Sequence, residues 1–167
     1  MAARLSDEGN SGYYEQAILC GYLSENAPFA AETIREAKEK GMMTANSYLI
    51  EGILLFSEER YEEGDEALSA SLETGTTVVG AYYYRGLCRL ASGKYADAIP
   101  DFTEAVNWEE NDLACIFNRG VCYYALEDYE SAYYDLEYVA LNDSEGALAA
   151  SALELLDTLE VVEVPEQ

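Results

Sequence analysis

The sequence has no histidine among its 167 residues, only three prolines and only nine basic residues. The missing histidine excludes the Ser-His-Asp triad, the Cys-His dyad and every zinc site that contains histidine. The four cysteines form no C-x-x-C pair, and their spacing argues against a four-cysteine zinc site. Phosphate-binding loops and dinucleotide fingerprints are absent too. The sequence therefore predicts a protein that is not an enzyme, with no metal and no cofactor.

Long apolar runs are also missing. No stretch approaches the roughly 20 apolar residues of a membrane span, and residues 1–12 lack the apolar core of a signal peptide. Cysteines at packing positions favour a reducing compartment such as the cytoplasm. Export followed by removal of a signal is the alternative.

Positive charge is scarce. Thirty-three acidic residues against nine basic ones give a formal charge of -24. Such a chain repels nucleic acid phosphates and anionic membrane surfaces, so neither is an expected partner. It attracts basic partners at long range, in a way that salt weakens. The alternative is that the charge only keeps the protein in solution.

What the sequence does contain is an internal period of 34 residues, the first feature to seek in any chain. Glycine, tyrosine and large apolar residues each recur with this step. The columns are Gly52, Gly86 and Gly120; Tyr61, Tyr95 and Tyr129; and Leu68, Phe102 and Leu136. Several columns that keep one period indicate a repeat protein.

Each period is predicted to form two helices. In Val79–Ala91 the apolar residues recur at steps of three and four, which is helical spacing. Gly93 follows and suits a helix end. The second helix is predicted over 95–106, with Pro100 near its first turn. Gly86 and Ala98 are small where the two helices must approach closely.

The period, the glycine column, the tyrosine after the turn and the alanine in the second helix resemble the tetratricopeptide repeat. The fragment FNRGVCYYALEDYESAYYDLEYV, from Phe117, is especially similar to that pattern. The resemblance implies an all-α fold, a right-handed α-α superhelix of about four helix pairs with a C-terminal capping helix. The predicted organisation is a flexible N-terminus at 1–10, a single repeat domain at 11–162 and a flexible tail at 163–167. Within the domain we predict units at 11–44 (degenerate), 45–78, 79–112 and 113–146, then the capping helix at 147–162.

In this family the first helix of each pair lines a concave side that commonly holds a peptide or a partner helix. Beside the residues needed for packing, each first helix here carries a second stripe, and a solvated stripe would be polar. Its members are all apolar or aromatic: Leu49, Ile53, Phe56, Tyr83, Leu87, Leu90, Phe117, Val121 and Tyr124. Some family members place a carboxylate clamp of lysine, asparagine and arginine on this stripe, and those positions are apolar here.

The sequence thus predicts a non-catalytic protein-protein interaction scaffold. Its apolar groove would bind a protein or peptide through a hydrophobic segment or a helix, basic or amphipathic. Two alternatives stay open. One is a chaperone that shields a hydrophobic client segment. The other is a self-associating module whose groove is filled by its own C-terminal helix or by a second copy in a homodimer.

Three smaller expectations concern polar and sulfur side chains. Cys20, Cys88 and Cys122 share one column, which predicts packing rather than chemistry. Glu51 and Arg85 share another, so neighbouring first helices could pair them. The acidic run 57–66 is interpreted as a solvated face.

Overall fold

The computed structural model describes residues 10–75, 78–108, 112–143 and 146–160. The predicted tail at 163–167 and nearly all of the predicted N-terminal segment at 1–10 lie outside the described residues. All regular structure within these ranges is helical. The helices are α1 (Ser11–Leu23), α2 (Ala27–Glu39), α3 (Ala45–Ser57), α4 (Tyr61–Glu73), α5 (Val79–Ala91), α6 (Tyr95–Trp108), α7 (Leu113–Ala125), α8 (Tyr129–Asn142) and α9 (Ala147–Glu160).

The starts of these helices repeat the 34-residue period of the sequence. Polar side chains cap several of them: the Asp112 carboxylate accepts from two amides at the start of α7, and Asp128 accepts from the Ser131 amide. The turn inside each helix pair places one residue at positive φ, Glu25, Glu59, Gly93 and Glu127 in successive pairs. Only Gly93 is a glycine, so the other three turns carry a side chain in the left-handed region.

Two compact units make up the chain, with the division inside α5 between Cys88 and Arg89. In the first unit α1 packs on α2 and α3, and α3 packs on α4. One core cluster there is centred on Tyr14, Ile18 and Ile50, and a second joins Leu68 of α4 to Cys88 of α5.

In the second unit α7 packs on α6 and α8, and α9 packs on α8 and α7. Its core cluster contains Ile116, Leu136 and Val139, with Ala152 and Leu159 from α9. The predicted capping helix is thus present as α9, and it buries two of its own residues in this core.

Two members of the glycine column, Gly52 and Gly120, lie at close contacts between the two helices of their pairs. A Cβ atom added at Gly52 would lie 2.3 Å from Cγ of Leu68, which is fully buried. At Gly120 the nearest atoms would be Cβ of Asp135 at 3.1 Å and Cγ of Leu136 at 3.2 Å. Glycine at these two positions therefore lets α3 approach α4 and α7 approach α8.

Pro100 is the sixth residue of α6, just after its first turn, and α6 continues to Trp108. The helical bond that its missing N–H would make is to Ala96, which is exposed, so water can satisfy that carbonyl. The expectation that Cys20 is packed was wrong: Cys20 is exposed, whereas Cys88 and Cys122 of the same column are buried. Cys88 packs toward Gly64 in the preceding pair, and no preceding pair covers Cys20 among the described residues.

Candidate functional site

All nine residues of the predicted binding stripe are partly buried, on α3, α5 and α7. Leu49, Ile53 and Phe56 lie on α3, and the members on α5 and α7 occupy the equivalent positions 34 and 68 residues later. None is in a core cluster as a buried residue, and none is fully exposed. In each unit the stripe residues therefore contribute apolar side chains that are only partly covered. Five of its members, up to Leu87, belong to the first unit and four to the second.

In the first unit the stripe is backed by aromatic packing. Leu49 and Phe56 pack against the cluster of Leu68, Ala81 and Cys88. The Phe56 ring lies 6.1 Å from that of Tyr84, and the rings of Tyr83 and Tyr84 are 5.3 Å apart. Burial, with a smaller contribution from Tyr22, raises the pKa of Tyr84. Phe56 and Tyr83 therefore both pack against Tyr84.

In the second unit the stripe meets α9. Phe117 and Tyr124 pack against the core that contains Leu159. The Thr158 hydroxyl donates to the Tyr124 hydroxyl at 3.1 Å, and the rings of Tyr124 and Tyr129 are 6.0 Å apart. Tyr124 therefore has both a polar and an aromatic neighbour.

The helix α9 keeps the phase of the repeat, because it begins 34 residues after α7. Thr158 is the repeat equivalent of Tyr124, and Ser151 and Leu155 are the equivalents of Phe117 and Val121. Within the second unit α9 thus takes the place of a further first helix beside α7. Its own version of the stripe contains two hydroxyl residues in three positions, so the apolar stripe ends there.

Sequence reasoning missed that the stripe continues into α1. Leu19 and Tyr22, the repeat equivalents of Ile53 and Phe56, are partly buried and pack on the core cluster of Tyr14 and Ile18. The same 34-residue step could have identified them. The third equivalent is Glu15, which accepts hydrogen bonds at 2.8 Å from the Thr44 hydroxyl and the Asn46 amide. The stripe is therefore polar at this first position.

The arginine column makes contacts between successive helix pairs. Arg119 binds Asp135 through two parallel hydrogen bonds of 2.8 Å and reaches Thr103 at 3.3 Å. The Asp135 hydrogen bond raises the pKa of Arg119. Arg85 makes the equivalent contact to Ser69, at 3.1 Å. These residues join one pair to the next.

The expected pair between Glu51 and Arg85 does not form. Glu51 Oε1 instead binds Nζ of Lys38 at 2.6 Å. Lys38 lies on α2, the second helix of the preceding pair. Glu51 Oε2 is buried and accepts no hydrogen bond.

Glu51 also lines a cavity of about 640 Å³ within the first unit, formed by α2, α3 and α4. We call it the outer cavity. Its apolar walls include Ala31, Ile34, Leu54 and Ala67. On α3, Glu51 and Leu54 lie roughly opposite the stripe, because a step of 100° per residue places them far from Leu49, Ile53 and Phe56. The outer cavity and the stripe are therefore separate surfaces of α3.

Two further features concern metal-binding clusters and membrane-spanning helices in the described ranges. No cluster of three or more cysteine, aspartate or glutamate side chains is placed there to hold a metal ion. No helix in the same ranges is long and apolar enough to cross a bilayer.

Comparison with solved structures shows the fold. YrrB, a tetratricopeptide protein with an unusual peptide-binding site, matches over 90% of this chain and 77% of its own, at 20% identity and a TM-score of 0.77. MamA from MSR-1 matches over 90% and 89%, at 17% identity and a TM-score of 0.72. PcrH from Pseudomonas aeruginosa matches over 70% and 91%, at 17% identity and a TM-score of 0.62. No protein-family model matches the sequence. The chain therefore has a tetratricopeptide-type all-α repeat fold.

Proposed function

We propose that this protein is a non-catalytic scaffold whose stripe on the first helices binds a hydrophobic segment or an amphipathic helix of a partner protein. The observation that carries the proposal is the stripe itself. Nine equivalent positions hold only apolar or aromatic residues, and every one of them is partly buried. If these residues were fully buried, packing in the protein core would account for their apolar character. Partly buried apolar side chains in a regular row leave surface that a partner can cover.

The spacing of the stripe residues along each first helix suits a helical ligand. Its members follow steps of four and three along each first helix, the spacing at which an amphipathic helix also presents its apolar residues. The two tyrosines within the row, Tyr83 and Tyr124, add apolar ring area, and the Tyr124 hydroxyl accepts a hydrogen bond from Thr158. The similarity to YrrB, which has a peptide-binding site, supports this kind of partner without identifying it.

Charge favours a partner with basic residues beside its apolar face. The chain carries a formal charge of -24. None of the nine stripe residues is acidic, so the acidic residues elsewhere in the chain would attract such a partner before contact. Binding should therefore be faster at low salt.

The test is capture of a partner from lysate of the source cell, comparing the wild type with Tyr83→Glu/Phe117→Glu. Two carboxylates in a desolvated apolar contact oppose binding strongly. We expect a protein retained by the wild type to be lost by this variant. Circular dichroism and thermal unfolding establish that the variant is folded.

The matched control is Ala96→Glu/Ala147→Glu, which adds the same two charges at exposed positions in the first turns of α6 and α9. Glutamate is favourable near a helix N-terminus, so this control should fold. It should retain the same partner as the wild type. Equal retention by the stripe variant would overturn the proposal, as would a solution mass showing that a second copy already covers the stripe.

A further inference from the structure

The outer cavity lies at the place in the first unit that corresponds to the Arg119–Asp135 ion pair of the second unit. In the second unit, the same place between two second helices is filled by Arg119. Its guanidinium binds Asp135 on α8 through two hydrogen bonds of 2.8 Å and touches Thr103 on α6 at 3.3 Å. One arginine thus fills the crevice and satisfies a carboxylate of low exposure.

The 34-residue period identifies the corresponding residues in the first unit. The equivalent of Arg119 is Glu51, the equivalent of Asp135 is Ala67, and the equivalent of Thr103 is Arg35. The first unit thus has a shorter carboxylate, Glu51, in place of the arginine, and an alanine, Ala67, in place of the aspartate. The crevice is consequently open, as a cavity of about 640 Å³, a volume typical of ligand sites.

The carboxylate in this cavity is only half satisfied. The Glu51 side chain is 13% exposed, and Lys38 binds only its Oε1. Oε2 is buried without a hydrogen-bond donor. A lone buried acceptor on a charged group is costly, and an ammonium is a point charge that covers one oxygen. A guanidinium presents two parallel N–H groups and can satisfy both oxygens at once.

The cations around the cavity do not oppose a positive ligand. Arg35 is paired with Glu32 and Glu39 at 2.5 Å each. Arg60 is paired in the same way, with Glu58 at 2.9 Å and Glu63 at 2.5 Å. Lys38 is paired with Glu51, and its side chain is 47% exposed, so its ammonium can move into solvent when a guanidinium takes its place on the carboxylate. A further acidic residue, Glu66, also lines the cavity.

We propose that the outer cavity binds an arginine side chain of a partner protein, with the Glu51 carboxylate accepting both guanidinium hydrogen bonds. The methylene stem of the arginine would pack on Ile34, Leu54 and Ala67. The ligand then supplies to the first unit the guanidinium that Arg119 supplies to the second, with the charges exchanged. This site is separate from the stripe, because it lies on the opposite side of α3.

The test uses two peptides that differ in one group. Acetyl-Leu-Arg-Leu-amide is the probe, and the peptide with citrulline in place of arginine is its neutral isostere. We expect the arginine peptide to cause saturable NMR shifts of Ala31, Glu51 and Ala67 amides. The citrulline peptide should bind at least about tenfold more weakly, because a hydrogen-bonded charge pair is lost.

Variants separate this site from other acidic surface. Glu51→Gln should weaken binding of the arginine peptide at least about tenfold, while Glu62→Gln should leave it unchanged. Glu62 is exposed on α4, so Glu62→Gln removes the same charge at a position away from the cavity. Ala31→Leu, from an exposed position of α2, should block the mouth and weaken binding with Glu51 intact. Equal binding of the citrulline peptide, equal binding by Glu51→Gln, or no saturable shifts at tens of millimolar peptide would overturn the proposal.

Discussion

The glycine column gives a quantitative test of how the helix pairs pack, through the substitution Gly52→Ala. The added Cβ would lie 2.3 Å from Cγ of Leu68 and 2.7 and 2.9 Å from its two methyl groups. Carbon atoms in ordinary contact are about 3.5–4.0 Å apart. Leu68 is fully buried and cannot move into solvent. The overlap should therefore cost about 3 kcal/mol, the upper end of the usual range for overpacking.

Helix propensity acts in the opposite direction, since alanine is about 1 kcal/mol better than glycine inside a helix. The net loss for Gly52→Ala is then about 2 kcal/mol. For a chain of this size that lowers the unfolding midpoint by about 4–8 °C. The assay is thermal unfolding followed by far-ultraviolet circular dichroism.

The equivalent substitution Gly120→Ala is the internal control. Its Cβ would meet Asp135 at 3.1 Å and Leu136 at 3.2 Å, contacts that small shifts can relieve. Overpacking of about 1 kcal/mol and a propensity gain of about 1 kcal/mol nearly cancel there. An unfolding midpoint for Gly52→Ala at or above that of Gly120→Ala would refute this reasoning about the helix contact.

Three further predictions concern reactive and charged groups. Under native conditions an aromatic disulfide reagent should modify the exposed Cys20 rapidly and the buried thiols slowly. Burial raises the pKa of Cys122, for example, to about 12. Fast reaction of all four cysteines would contradict the burial of three of them. Burial raises the pKa of Tyr84 above the ordinary value of about 10. Its contribution to stability is therefore present below that pH and is lost as the pH rises through the raised value, so Tyr84→Phe should reduce the alkaline fall in unfolding midpoint; an unchanged fall would count against it. Arg119→Met should destabilise the protein by about 1–3 kcal/mol in urea unfolding, because it leaves the Asp135 carboxylate without its two hydrogen bonds; no loss would show that the pair is replaceable by water.

Much of the fold could be predicted because its controlling residues recur. The helix predicted at Val79–Ala91 has those bounds in the structure, and the second helix begins at Tyr95 as expected. Gly93 ends the first helix with φ of 73°. A 34-residue column repeats both the local propensity and the packing environment, so each column is in effect observed several times. This is why Gly52 and Gly120 could be assigned to helix contacts.

The parts that could not be predicted depend on what stands beside one particular copy. Cys20 has the same column as Cys122 but no described helix pair before it, so it is exposed. Glu51 was expected to pair with Arg85. A long side chain can reach several neighbours, however, and Glu51 pairs with Lys38. The outer cavity arises from the coincidence of Glu51 and Ala67, which no single column reveals. Periodicity predicts a shared environment and says little about departures from it.

The central claim is that the stripe binds an apolar partner segment, and calorimetry with the captured partner segment tests it most directly. The wild type and Ala96→Glu/Ala147→Glu should bind with equal Kd and with a negative heat-capacity change, the mark of apolar burial. Tyr83→Glu/Phe117→Glu, folded by circular dichroism, should bind at least about a hundredfold more weakly, since two charges are then desolvated. An unchanged Kd for the stripe variant, or binding without a negative heat-capacity change, would contradict the account.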